Sequence, residues 1–316
     1  MENRFLKFDT KRCFGVEIEV GKEIGRDTII DFIKYRTNRF VKKSYYRPTI
    51  NNHYWDVKHD GSCGSKFVNG INEGGYEINS YKASGVNDMK EIAWMISNLK
   101  KINVKVNNNC GFHLHVEVSD YDSENIGVLL NNWIFVENMI FSCVPNKRKS
   151  NKYCQKLGSQ PLDAKEDLKK AIDFWNYYKP KTIALTNTDR KKALNIINFY
   201  RSISLKKFNR KTVEFRFMES TLCEKNIKNW IRFLVNFVEF CKNRNKLLFN
   251  RGLIRENIIT VEDFLEVVGL GSNLRGFTLS EGLTETRKWV LQRLARHGEN
   301  LVIKNEAKTL LKKESK

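Results

Sequence analysis

The chain has 316 residues, with 56 Lys and Arg against 36 Asp and Glu, a formal net charge of +20 and a pI near 9.6. At 41% hydrophobic and 29% charged it reads as a folded soluble protein, and no apolar run approaches the ~20 residues that span a bilayer. Seven Cys, an odd number with no C-x-x-C pair, argue against a cysteine zinc site and for reduced thiols in a cytoplasm, and the opening MENRFLKFDTKR has no apolar core of a signal peptide. The positive charge suits an anionic partner; heavy use of Lys, Asn and Ile throughout is the plainer, compositional source of it.

In chain order, Cys13–Val20 (CFGVEIEV) alternates as a strand, and Asp27–Tyr35 reads as a short helix. Tyr54–Lys58 and Gly75–Ser80 are further strands, separated by a loop carrying Gly61, Gly64, Gly70 and Gly74. Asn87–Lys100 is an amphipathic helix, Cys110–Val118 alternates again, and Ser123–Ser142 has helical spacing at Ile126, Leu129, Leu130, Trp133, Val136, Met139 and Ile140. The polar, basic stretch from Pro145 to Pro161 predicts a mobile loop, and its segment Asn146–Lys156 could clamp an acidic substrate or nucleic acid. Ala164–Tyr178 is a helix. Phe199–Leu205 and Thr212–Met218 are strands joined by the basic turn Lys206–Lys211. Glu224–Asn243, Thr260–Val268 and Glu281–His297 are helices, and Asn305–Lys316 is a Lys-rich tail expected to fray. Strands in blocks with helices between and after them predict an α+β fold with an antiparallel sheet. A catalytic domain over residues 1–250 and a helical extension with a basic tail over 251–316 are expected.

Four of these strands combine a wholly apolar back with a face of ligand-type residues. Residues i and i+2 of a strand share one face about 6–7 Å apart. Phe14, Val16, Ile18 and Val20 oppose Gly15, Glu17 and Glu19; Tyr76 and Ile78 oppose Glu77. Phe112, Leu114, Val116 and Val118 oppose Gly111, His113, His115 and Glu117; Val213, Phe215 and Phe217 oppose Thr212, Glu214 and Arg216. A solvated face of an amphipathic sheet would also show Lys, which abounds elsewhere but is absent from these four stretches. Gly15, Gly75 and Gly111 each stand two residues before a ligand position, where a missing Cβ allows close approach. Carboxylates with an imidazole suit Mg²⁺ or Mn²⁺, and Arg216 beside Glu214 offers a planar fork for phosphate. Together they suggest phosphoryl transfer from a nucleotide. No G-x-x-x-x-G-K-[ST] loop and no G-x-G-x-x-G helix start occurs, against a P-loop or Rossmann enzyme.

At this point the chain resembles a family. Phe14-Gly-Val-Glu-Ile-Glu19, Asp60-Gly-Ser62, Gly75-Tyr-Glu-Ile-Asn-Ser80, Cys110-Gly-Phe-His-Leu-His115 and Thr212-Val-Glu-Phe-Arg216 follow one another, over residues 12–240, as in the amidoligases. These are carboxylate–amine ligases of the glutamine synthetase-like fold, found in phages and bacteria. The resemblance implies a curved antiparallel sheet, ATP, two or three divalent metals, and amide formation through an acyl phosphate, in a bacterial or phage-infected cytoplasm. It implies Glu17, Glu19, Glu77, His113 and Glu214 as metal ligands, with Glu73 a weaker candidate, and His115 on the nucleotide side. Arg216 would stabilise the transferring phosphate, and Asp60 and Ser62 would face substrate or metal. Arg201 stands where a phosphate-contacting Arg is expected, although Ser204 replaces the family's usual Asn. The chain from about Asn250 falls outside the resemblance.

Two other readings stay open: a basic nucleic-acid-binding protein, for which no zinc finger, RRM or bZIP pattern speaks, and a metal-dependent phosphohydrolase. Trp230, Phe233 and Phe237 read as a core stripe, Cys110 as a buried thiol, and His53, His59 and His297 as surface or capping groups. The acid and the amine are not named by the sequence; peptides, cell-wall fragments, amino acids and polyamines all qualify, and oligomeric state is open.

Overall fold

Branched and aromatic residues alternating with polar ones pleat into strands when one side can be covered, and that alternation sets the architecture here. The computed structural model describes residues 4–6, 11–44, 53–63, 67–68, 71–72, 74–157, 191–199, 211–243, 259–271 and 277–314. They form an α+β fold whose sheet is mostly antiparallel and flanked by helices. The chain divides into two compact units. One, the sheet unit, takes Asp9–Val116 and Glu214–Ile231; the other, the helical unit, takes Met1–Phe8, Glu117–Val213 and Arg232–Lys316.

The strands of the sheet are β1 (Cys13–Val20), β2 (Val41–Ser44), β3 (Trp55–Asp60), β4 (Gly75–Asn79), β5 (Ala83–Ser84), β6 (Gly111–Glu117) and β7 (Thr212–Glu219). Across the sheet unit they run β7-β6-β1-β4-β3-β2, with β5 paired to the start of β1. β1 is antiparallel to β4, β5 and β6, and β3 is antiparallel to β4, whereas β2 and β3 are parallel. The antiparallel sheet expected from the strand pattern is thus present, with one parallel pair at its edge.

The apolar back is closed. Phe14, Val16, Ile18, Val20, Trp55, Val57, Ile78, Phe112, Leu114, Val116, Phe215 and Phe217 are all buried. The Arg26–Thr37 helix supplies Ile29, Ile30 and Ile33, and the Gly85–Asn98 helix supplies Met89, Ile92, Met95 and Ile96. Trp230 meets Phe217 edge to face at 5.2 Å, and Trp55 meets Tyr81 at 6.0 Å. Each such side chain contributes about 1.5–3 kcal/mol on burial, enough in sum to hold a charged opposite face in place. Gly75 is required by packing: a Cβ there would lie 2.2 Å from the Val20 carbonyl oxygen and 2.8 Å from Cys63 Cβ. Gly15 has open space around it, so no neighbouring backbone makes the close approach there.

In the helical unit, Ser123–Phe141 starts on a capping box in which the Asp122 carboxylate accepts from Asn125 N–H at 2.7 Å. The second half of Glu224–Asn243, then Val261–Val267, Glu281–His297 and Leu301–Glu314 complete it. Arg293 Nε donates to the Cys143 carbonyl at 2.5 Å, and Asn236 Nδ2 to the Val268 carbonyl at 3.2 Å, so the C-terminal helices pack with earlier ones. The tail does not fray as expected: Ala307 is buried, and Glu314 closes on Arg287. The basic segment after Pro145 is likewise more ordered than a loop. It holds a helical turn at Asn146–Lys149, buries Arg148 and Cys154, and bonds Gln155 N–H to the Lys191 carbonyl at 2.7 Å. The expected Ala164–Tyr178 helix, and residues 200–205 of the expected Phe199–Leu205 strand, lie outside the described residues; Phe199 itself is helical, not extended.

Candidate active site

The face opposite the apolar back is polar, and the sheet register lays it out in rows. Glu17 of β1 stands opposite His113 of β6 on one side and Asn79 of β4 on the other, with Asp56 of β3 beyond. In the next row Glu19 pairs with Glu77, and Glu77 with Lys58. Three of the expected ligands converge: one donor atom each from Glu17, His113 and Glu214 lies within 4.8 Å of the others. His113 is nearly fully buried between them, with Nδ1 3.4 Å from Glu17 and 3.8 Å from Glu214, and Nε2 3.6 Å from Glu19. His115 Nε2 is 3.0 Å from Glu17 and 3.9 Å from Glu214. Arg216 Nη1 donates to Glu214 Oε1, two residues away on the same face of β7.

A second convergence joins Glu19, Asp60 and Cys63 within the same 4.8 Å limit. Glu19 Oε2 is anchored by Gly111 N–H at 2.5 Å, and the Glu19 carbonyl accepts from Ser220 Oγ at 2.7 Å. Asp60 Oδ1 accepts from both the backbone N–H and the hydroxyl of Ser62 at 2.7 Å, so that turn is stiffened from within. Glu77 takes a different partner: Lys58 Nζ is 2.6 Å from its Oε1. Glu73 and Arg201 lie outside the described residues.

The electrostatics follow from crowding. Burial pushes the Glu17 carboxyl up, but the His115 charge, hydrogen bonds with His113 and His115, and Lys58 together hold it well below the usual carboxylate range. Burial likewise opposes the Glu214 carboxylate, and Arg216 and His115 overcome it. For Glu77 burial wins, reinforced by the Glu17 charge, and its carboxyl is pushed up despite Lys58. Burial lowers His115, yet Glu17 and Glu214 draw it above its ordinary value.

Among the described residues, the carboxylates of Glu17, Glu19, Glu77 and Glu214 thus crowd one another beside Lys58 and Arg216, with Asp56 and Lys42 paired further along the Glu17 row. Their oxygens with imidazole nitrogen make a donor set that Mg²⁺ or Mn²⁺ accepts. His115 Nε2 is turned to Glu17 at 3.0 Å, whereas His113 lies between the carboxylates of Glu17, Glu19 and Glu214. Glu17, Glu19, His113 and Glu214 are therefore the residues that would hold such an ion.

Lys58 and Cys63 were not singled out by motif. Lys58 had a signal: in Trp55–Asp60, Trp55 and Val57 take the core side, which puts Asp56, Lys58 and Asp60 on the polar one. Cys63 ends a 3₁₀ turn, Gly61–Cys63, where no periodicity reports side-chain direction.

A sheet that gathers carboxylates, imidazoles and a guanidinium on one face, against a fully apolar back, has the build of an enzyme. The chain belongs to the amidoligase family: the family model described as "Putative amidoligase enzyme" matches residues 10–238. Among solved structures it is similar to a bifunctional glutathione synthetase from Pasteurella multocida, at 11% identity and a TM-score of 0.42, covering 98% of this chain and 47% of that one. The chain thus spans less than half the length of that protein. No curated protein matches it. Among the described residues, no helix is long and apolar enough to cross a membrane.

Proposed function

We propose that the protein is an ATP- and Mg²⁺-dependent ligase that joins a carboxylate to an amine through an acyl phosphate, acting on a peptide or cell-wall component. The observation that carries this reading is the convergence of Glu17, His113 and Glu214 beside Arg216 on one buried face. A carboxylate is a poor acyl donor because hydroxide leaves badly, and phosphorylation supplies a better leaving group. A substrate carboxylate oxygen attacks the γ-phosphorus of ATP and ADP departs; the amine then attacks the acyl carbon, phosphate leaves, and the nitrogen loses its proton. Divalent cations, when bound, supply the charge that lets two anions meet.

The chain's own groups do the rest. Glu17, Glu19, His113 and Glu214 form the cation-binding cradle, and their backbone hydrogen bonding in adjacent strands keeps it pre-organised. Arg216 presents a guanidinium to the phosphoryl oxygens, already oriented by Glu214. His115 borders the nucleotide. Asp60, steadied by Ser62, faces substrate or cation at the edge of the site. The net charge of +20 supports a large anionic acceptor.

The test is ADP and phosphate release against pooled acids and amines, with products read by mass spectrometry. Turnover is expected only when an acid and an amine are both present, with the amide as product. Turnover unchanged by Glu17→Gln and Glu214→Gln, or a cleaved phosphoester without an amide, would refute the reading.

A further inference from the structure

The polar face carries cations of its own, Lys58 among them. Lys58 sits on β3 directly across from Glu77, which in turn faces Glu19 on β1. Its ammonium is 2.6 Å from Glu77 Oε1, and the two side chains are 14% and 17% exposed. The next row brings Asp56 and Glu17, so Lys58 stands among carboxylates, and the Glu17 and Asp56 charges act on it after that of Glu77. Glu77 belongs to neither of the two groups of converging donor atoms; Glu17, His113 and Glu214 form one, and Glu19, Asp60 and Cys63 the other.

We propose that Lys58 is a built-in cation of this face, neutralising Glu77 in place of a divalent ion, so that Glu77 is not a metal ligand in this chain. An ammonium on a four-carbon stem places one charge between strands without needing the six oxygens that Mg²⁺ demands. With Glu77 paired to Lys58, the exchangeable cations are confined to the Glu17–His113–Glu214 side and to Glu19. The inference rests on the metal-dependent reading above and divides its ligand set: Glu17, Glu19, His113 and Glu214 bind ions, whereas Glu77 binds Lys58.

The experiment is Mn²⁺ titration of the full chain without nucleotide, counting bound ions by electron paramagnetic resonance and measuring affinity by calorimetry. Circular dichroism checks the fold of each variant. Lys58→Met is expected to add one bound Mn²⁺ per chain, or to tighten one site at least about tenfold, since it frees Glu77. Lys58→Met/Glu77→Gln is expected to return to the wild-type count. Glu77→Gln alone is expected to keep the wild-type count, in contrast to Glu17→Gln, which loses an ion. A Lys58→Met protein with unchanged count and affinity overturns the proposal, and so does a Glu77→Gln protein that loses an ion as Glu17→Gln does; the second result stands even if Lys58→Met does not fold. If the wild-type chain binds no Mn²⁺, the metal-dependent reading itself fails and this inference falls with it. Ion loss in Glu17→Gln, with no gain in Lys58→Met, would sink the inference alone.

Discussion

Two regions of the molecule bury charge, and they do it oppositely. In the helical unit, Arg287 is 6% exposed and every side of its guanidinium is met: Nη1 donates to the Leu270 carbonyl at 2.7 Å, Nη2 to Glu262 at 3.0 Å, and Nε to Glu314. Two carboxylates and a carbonyl close on one cation, and the network pins three segments together. On the sheet face, Glu17, Glu19, Glu77 and Glu214 share Lys58 and Arg216, and His113 has carboxylates at both ring nitrogens. A balanced network is self-sufficient and serves structure. An unbalanced one, held in place by an apolar back that overrules its repulsion, has donor atoms that could hold a cation.

The largest effect expected from this contrast is on turnover. Glu17→Gln or Glu214→Gln should lower amide formation by about a hundredfold or more while leaving the fold intact, because each removes surplus negative charge rather than a structural partner. Steady-state ADP release alongside a thermal melt would show it. Next comes the response to ions. Mg²⁺ at about a hundred times its Kd should stabilise the wild-type chain by about 2.7 kcal/mol, and the Glu17→Gln/Glu214→Gln double variant by far less. Urea unfolding with and without Mg²⁺ measures the difference, and equal gains in both would erase the distinction between the two regions.

Arg287→Met should cost about 2 kcal/mol in urea, since it strands Glu262 and Glu314 half-buried, and Mg²⁺ should not restore it. The smallest effect concerns His297. Burial, and then the charges of Arg293, Arg296, Lys149 and Lys304, push its pKa down to about 4. Its folded pKa lies below the ordinary 6.5, so its contribution is whole above pH 6.5 and is lost as pH falls towards 4. Partial exposure screens the effect to under about 1 kcal/mol. Chemical unfolding at pH 7 and pH 5 should show a smaller drop for His297→Gln than for the wild type.

What could be read from the sequence followed the strength of the local pattern. Glu17, Glu19, His113 and Glu214 were legible because period-two alternation fixes which face a side chain takes, and Ile18, Leu114 and Phe215 leave no doubt about the other face. Glu77 is legible as a face residue, but its partner is not, because a lysine in a strand ordinarily means solvent. Cys63 depends on a 3₁₀ turn, and the parallel pairing of β2 with β3 on contacts that no local pattern encodes. The packing of the C-terminal helices rests on bonds such as Arg293 to Cys143, 150 residues apart, beyond the reach of any window. The Lys-rich tail looked unfit to order itself, yet Ala307 gives it one apolar foothold and Glu314 an ionic one.

The pairing of β1 with strands on both sides has a consequence for how this protein can vary. Glu17 is locked opposite His113 and Asn79 at once. Deleting or inserting one residue in β1 would rotate Ile18 outward and drive both glutamates into the hydrocarbon interior. The register therefore fixes the length of this strand. Gaps between relatives should fall in the connections and spare these eight positions.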